Sequence, residues 1–219
     1  MSKQKFLAAC STVMLLFLSG PASAAEVNIT GEVESVTVKH GDESVTIMRN
    51  QNQKNTVNPA FARTSRKCPP FCIQPATLAP GVETIAELEV LNYLQRIAEG
   101  DDGILVVDSR DPAWVAKGTI PGAVNIPWTS LSTEKGADPI SIGEILQNRF
   151  NAENLGGLWS YSNARTLVMF CNGMWCGQTP DNIRSLLSFG YPPSKLKWYR
   201  GGMQNWEILG LTTAKPVQE

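Results

Sequence analysis

Three short apolar runs, each separated from the next by helix-patterned sequence, limit what this chain can fold into. Ile104-Leu105-Val106-Val107, Thr166 to Phe170 and Leu196 to Tyr199 have the length and side chains of strands buried on both faces. Between and around them lie segments of helical character. Thr84-x-x-Glu87 reads as a capping box, followed by Ile85, Leu88, Leu91, Leu94 and Ile97 at three-residue spacing and a stop at Gly100. Asp111-Pro112 opens a second helix, closed by Gly118, and Ser141-x-x-Glu144 opens a third. Thr179-Pro180 opens a fourth, carrying Ile183, Leu186 and Leu187 and stopped by Gly190. Strands alternating with helices predict an α/β domain built on an open parallel sheet flanked by helices. Such sheets hold their ligands beyond the carboxyl ends of the strands.

The segments before this domain differ in kind. Lys3 and Lys5, an apolar stretch from Phe6 to Leu18 and Ala22-Ser23-Ala24 make residues 1–24 a secretory signal peptide, with cleavage expected after Ala24. Leu7-Ala8-Ala9-Cys10 resembles a lipobox, but it precedes the apolar core instead of following it. Residues 25–50 read as a β-hairpin, with alternation from Val33 to Lys39, a turn at Lys39-His40-Gly41-Asp42, and Val45 and Ile47 beyond it. His40, the single histidine, is expected to be a solvated loop residue. Residues 51–82 are rich in Pro, Asn, Gln and Thr and form an irregular connector. The α/β domain spans 83–213, and 214–219 is a tail.

Composition removes several function classes. The net charge is -1, and loss of the two signal lysines makes the remainder more acidic still, so nothing favours nucleic acid as a partner. One histidine excludes a His-rich metal centre, and no metal or other cofactor is called for. No later run is long and apolar enough to span a membrane. The signal places the protein in the periplasm or outside the cell, where disulfides are the default fate of cysteine pairs. Four cysteines follow the signal: Cys68, Cys72, Cys171 and Cys176. Cys68-Pro69-Pro70-Phe71-Cys72 suits a local disulfide stiffening the connector. A redox pair exchanging with the Cys171 region is a second reading, and a metal site lacks further ligands.

Cys171 stands at the carboxyl end of the second apolar run. Asn172, Gly173, Met174, Trp175, Cys176 and Gly177 follow it before the Thr179-Pro180 helix start. A loop between strand and helix can turn successive amides inward to form an anion nest, and that field favours a thiolate. A small buried hydrophobe ending a strand is the plainer alternative.

The wider chain resembles the rhodanese superfamily. The resemblance is carried by Asp108-Ser109-Arg110 after the first strand, then Gly118-Thr119-Ile120-Pro121-Gly122-Ala123-Val124-Asn125-Ile126-Pro127. It continues in Gly190-Tyr191 and in Arg200-Gly201-Gly202-Met203-x-x-Trp206 with Gly210-Leu211. It covers residues 83–213 and implies a sulfur carrier. By position Cys171 is the cysteine that takes up a sulfane sulfur, residues 172–176 are the loop holding the persulfide, and Asp108 and Arg110 brace that loop. The implied partners are a sulfane-sulfur donor and a thiol acceptor, which could itself be a protein. Gly201 and Gly202 allow close backbone approach, and Trp206 reads as core. The loop has no Arg or Lys, which argues against thiosulfate as donor. Gly177 stands where related phosphatases have arginine. Thr119 replaces the usual histidine. Cys176 leaves open a thiol–disulfide redox protein working through Cys171 and Cys176, and a catalytically silent binding module remains a third class.

Overall fold

The computed structural model describes residues 26–217; the signal segment lies outside them. In chain order the elements begin with the hairpin β1 (Ser35–His40) and β2 (Glu43–Met48), then β3 (Glu83–Ile85), α1 (Glu87–Ala98), β4 (Ile104–Asp108), α2 (Pro112–Val115) and β5 (Val124–Asn125). They continue with α3 (Pro139–Glu144), a second small hairpin β6 (Glu153–Leu155) and β7 (Leu158–Ser160), then β8 (Thr166–Phe170), α4 (Gln178–Ser188), β9 (Leu196–Tyr199) and α5 (Gly202–Ile208).

Five strands form one sheet in the order β3-β9-β8-β4-β5, with every pairing parallel. Side chains alternate across it, as a period of two requires. Val106, Val168, Phe170 and Tyr199 face one apolar cluster, while Val107, Leu167, Met169 and Trp198 face the other. On the first face, α1 contributes Val90, Leu91 and Leu94, and α5 contributes Met203 and Trp206. On the second, α4 contributes Ile183 and Leu186. Each such side chain is worth about 1.5–3 kcal/mol of burial. The N-terminal hairpin is part of this body, since Val36, Val38 and Ile47 join the α1 face.

Several expected details differ. Thr84 lies not at a helix start but in the edge strand β3, where its hydroxyl donates to the carbonyl of Ala76 at 2.6 Å. Half of such a box forms two residues later: the Glu89 carboxylate accepts from the amide of Ala86 at 3.0 Å, and Ala86 has no side-chain acceptor to return the bond. The buried stripe of α1 is accordingly Val90, Leu91 and Leu94, and Leu88 is 54% exposed. A strict three-residue spacing drifts around a helix of 3.6 residues per turn. The third helix starts at Pro139 with Asp138 as its cap, rather than at Ser141. His40 is half-buried: its Nδ1 accepts from the amide of Gly122 at 3.1 Å, and its Nε2 meets the carbonyl of Lys215 at 2.6 Å. The hairpin tip is thereby tied to two distant loops.

Candidate active site

The chain reverses its winding direction between β4 and β8. From β4 it passes through α2 to β5 on one side, and from β8 through α4 to β9 on the other. The carboxyl ends of these two adjacent strands therefore flank the crevice where open α/β sheets bind ligands. Asp108 ends β4, and Cys171 follows the last residue of β8.

Cys171 is 2% exposed and Cys176 is 4% exposed; both are free thiols. The Cys171 Sγ points toward the carbonyl of Cys176 at 3.5 Å. Burial alone would raise the Cys171 thiol. Hydrogen bonds from the Cys176 side chain, from the amide and hydroxyl side of Thr179 and from the amide of Gly173 outweigh it, and hold the thiol below its ordinary value. Cys176 goes the other way: burial and the neighbouring Cys171 push its thiol well up. The two sulfurs are thus tuned in opposite directions, Cys171 toward the thiolate and Cys176 toward the thiol. The amides facing Cys171 are those of Gly173 and Thr179; the amide of Cys176 is spent on the carbonyl of Gly173 at 2.9 Å. Thr179 is fully buried, and its hydroxyl makes no hydrogen bond of ordinary geometry among the described residues, which leaves it available to Cys171.

The loop is clamped from below by the glycine pair. The amides of Met203 and Gln204 donate to the carbonyls of Cys171 and Asn172 at 2.9 and 3.0 Å. Gly202 has φ +54°, and a Cβ there would lie 2.3 Å from the carbonyl oxygen of Cys171. Only glycine permits this approach. Trp206 is core, with its indole N–H on the carbonyl of Thr212 at 2.8 Å.

Asp108 and Arg110 form a fully buried pair beside the loop. The Arg110 Nε donates to Asp108 Oδ1 at 2.8 Å and its Nη2 to Oδ2 at 2.5 Å, while a second Nη2 bond reaches the carbonyl of Gly118 at 2.7 Å. Thr119 donates to the same carboxylate at 2.7 Å. The Arg110 Nη1 reaches Asn172 Oδ1 at 3.5 Å. The pair holds the loop and the first crossover in place and does not face the sulfur directly. Asp111 works likewise: its carboxylate accepts from Trp128 Nε1 at 3.0 Å and from Gln178 Nε2 at 2.6 Å, instead of capping α2.

The connector crosses the site, which the sequence pattern does not reveal. Cys68 and Cys72 are bridged. Phe71, inside that small ring, packs edge-on against Trp175 with centroids 5.7 Å apart. Arg66 lies over the Trp175 ring, with its guanidinium carbon 3.7 Å from the centroid. Gln204 accepts from Trp175 Nε1 at 2.9 Å and donates to the carbonyl of Phe61 at 3.1 Å. Of the loop residues singled out from sequence, Gly173 and Cys176 face Cys171 and Asn172 follows it in the chain, while Trp175 packs against the connector. Met174 is 39% exposed at the rim, and Gly177 stands at the start of α4. Thr179, Gln178, Gln204 and Arg66 were missed. The sequence pattern marks Thr179 only as part of a helix start and Gln178 only as the last residue of the loop before it.

Residues 91–209 match the Rhodanese-like domain family. The chain belongs to the rhodanese family. Among solved structures it is similar to a human single-domain sulfurtransferase (24% identity, 57% of this chain and 95% of that one, TM-score 0.35). It is also similar to a Bacillus halodurans protein (21% identity, 57% and 70%, TM-score 0.38) and to a Pseudomonas aeruginosa thiosulfate sulfurtransferase (17% identity, 63% and 21%, TM-score 0.41). No curated protein gives a significant match. The hairpin and connector, residues 26–82, precede the matched rhodanese region.

Proposed function

We propose that the protein is an exported sulfurtransferase or sulfur carrier that holds its cargo as a persulfide on Cys171. The observation that carries this reading is the placement of Cys171, a buried free thiol directly after β8 at the crevice, in a loop held by the amides of Met203 and Gln204. The Cys171 thiolate attacks the sulfane sulfur of a donor, the bond joining that sulfur to the donor breaks, and the electron pair departs with the donor remnant. The amides of Gly173 and Thr179 and the thiol of Cys176 then face the terminal sulfur. A thiol acceptor removes it and regenerates Cys171. The bridged Cys68–Cys72 pair supports action in an oxidising compartment after removal of residues 1–24. Among the described residues, no helix is long and apolar enough to cross a membrane.

A thiol–disulfide redox role would need Cys176 to attack as a thiolate. Its raised thiol works against that, because attack depends on the thiolate fraction. Intact-mass analysis of the chain, with and without reductant and a sulfane-sulfur donor, tests both readings. A gain of about 32 Da mapped to Cys171 supports persulfide formation. A loss of about 2 Da mapped to Cys171 and Cys176 supports the redox protein.

A further inference from the structure

Charge is unevenly placed along the chain. Residues 44–82 hold five basic residues, Arg49, Lys54, Arg63, Arg66 and Lys67, and no acidic one, whereas residues 83–213 hold fourteen acidic residues against ten basic. Arg63, Arg66 and Lys67 cluster just before the Cys68–Cys72 ring, in the connector and outside the region matching the rhodanese family. Arg63 and Lys67 are exposed and Arg66 is half-buried. Among the described residues none of the three is in an ion pair. Three unpaired like charges this close repel one another, and an acidic surface laid against them relieves that repulsion.

Exposed apolar surface lies beside the charges. Ile73 is 81% exposed, and Phe71 and Met174 are exposed as well. Their backbone is fixed. The bridge closes the ring that carries Phe71, the amide of Gln74, next to Ile73, donates to the carbonyl of Met174 at 2.8 Å, and Arg200 holds the carbonyl of Gln74 at 2.7 Å. Trp175 supports the patch from beneath, edge-on to Phe71 and stacked under Arg66. Apolar side chains on a fixed backbone with a charged rim suit a protein–protein contact, since rigid anchors lose little freedom on binding. Met174 is three residues beyond Cys171, so this face adjoins the loop that carries the sulfur.

We propose that the connector face from Arg63 to Ile73, together with Met174, docks a protein with an acidic surface that presents a cysteine, and that this protein takes the sulfur from Cys171. The proposal rests on the reading of Cys171 as a sulfur carrier. The partner's thiolate bonds to the outer sulfur of the Cys171 persulfide, the sulfur–sulfur bond breaks, and its electron pair returns to Cys171 as the thiolate. The partner leaves as the persulfide. Arg63 and Lys67 meet its carboxylates, and Phe71, Ile73 and Met174 meet its apolar side chains.

The test loads the full chain with sulfur on Cys171 and follows its loss, by mass, to short peptides of equal length. Each has one central cysteine flanked by acidic, neutral or basic residues. The acidic peptide takes the sulfur fastest, and its advantage fades as salt is raised. In the double variant Arg63→Gln, Lys67→Gln its rate falls about fivefold, the worth of two exposed ion pairs. Two small thiols, neutral mercaptoethanol and anionic mercaptopropionate, change less than about twofold in that variant. Ile73→Ser slows all three peptides and spares the small thiols. Equal rates for the three peptides overturn the proposal. So does an equal loss for mercaptopropionate and the acidic peptide, which marks a small-anion site. Sedimentation with phosphatidylglycerol vesicles that the double variant abolishes, with peptide rates unchanged, makes the face a membrane contact and also overturns it. The two readings fail separately, because a dye-labelled acidic peptide with serine in place of its cysteine reports docking by anisotropy without any sulfur. Binding of that peptide to a chain whose Cys171 never gains sulfur keeps the docking face and removes the carrier. Sulfur transfer without peptide preference keeps the carrier and removes the docking face.

Discussion

The main-chain amide of Gln74 donates to the carbonyl of Met174 across 2.8 Å, so the connector and the loop beside Cys171 share a backbone hydrogen bond. Around it Phe71 and Arg66 both pack on Trp175. The rim of the site is built jointly by the rhodanese domain and the segment before it.

Cys171→Ser removes the nucleophile and little else, since the side chains are nearly isosteric. Sulfur transfer should vanish while the denaturation midpoint stays close to that of the natural chain. Transfer at the natural rate in this variant would take Cys171 out of the mechanism.

The lowered Cys171 thiol sets the sign of the pH dependence. Its thiolate persists to lower pH than that of a free cysteine, so the iodoacetamide rate should rise with pH around a midpoint below the ordinary value of about 8.5. Thr179→Val keeps the volume and deletes the buried hydroxyl, and should move that midpoint up. Thr179→Ser should restore it. An unchanged midpoint in Thr179→Val would remove the hydroxyl from the tuning of Cys171.

Cys176 separates carriage from redox turnover. Cys176→Ser keeps a hydrogen-bond donor beside Cys171 and removes the competing sulfur. Persulfide half-life under anaerobic conditions should lengthen, and transfer to an external thiol should persist. Loss of transfer with Cys171 still open to alkylation would favour the disulfide cycle.

Arg110→Met leaves the Asp108 carboxylate buried without its partner. The cost should be about 3–5 kcal/mol in urea unfolding, as for other broken buried pairs. Because Thr119 and the Gly118 carbonyl also depend on the pair, the first crossover should loosen, and amide exchange near residues 118–122 should quicken.

Gly202→Ala forces a Cβ into the carbonyl of Cys171 and places a side chain at φ +54°. Backbone strain of about 1–3 kcal/mol is expected, with a loss of activity larger than the loss of stability explains. A fully active, equally stable variant would show that the clamp under the loop is not needed.

Much of this was legible in the sequence because the governing signals are local. Continuous apolar runs announced β4 and β8, glycines marked the helix ends, and Cys171 followed directly from its place after Phe170. The failures have physical causes. β3 has only three residues and buries one side chain, Ile85, so its pattern is too short to separate from a helix start. Thr84-x-x-Glu87 satisfied a capping rule of which the fold uses only the Glu89 half, two residues later. Arg66 could not be found by any periodicity. It sits in an irregular connector, and its partner Trp175 is distant in sequence; only the folded chain brings them together.

The sheet order has a consequence for how the chain acquires its structure. β9, the last strand in sequence, lies between β3 and β8. The edge strand β3 therefore has no partner in the main sheet until residues 196–199 exist, and the α1 face cannot close over Tyr199, Met203 and Trp206 before then. Loop closure of that span carries its entropic cost before the burial that offsets it. A chain emerging from its N-terminus has a local hairpin but an incomplete main sheet for most of its synthesis. Closure of the β3 edge thereby waits for β9, while β4, β5 and β8 can pair with one another before it.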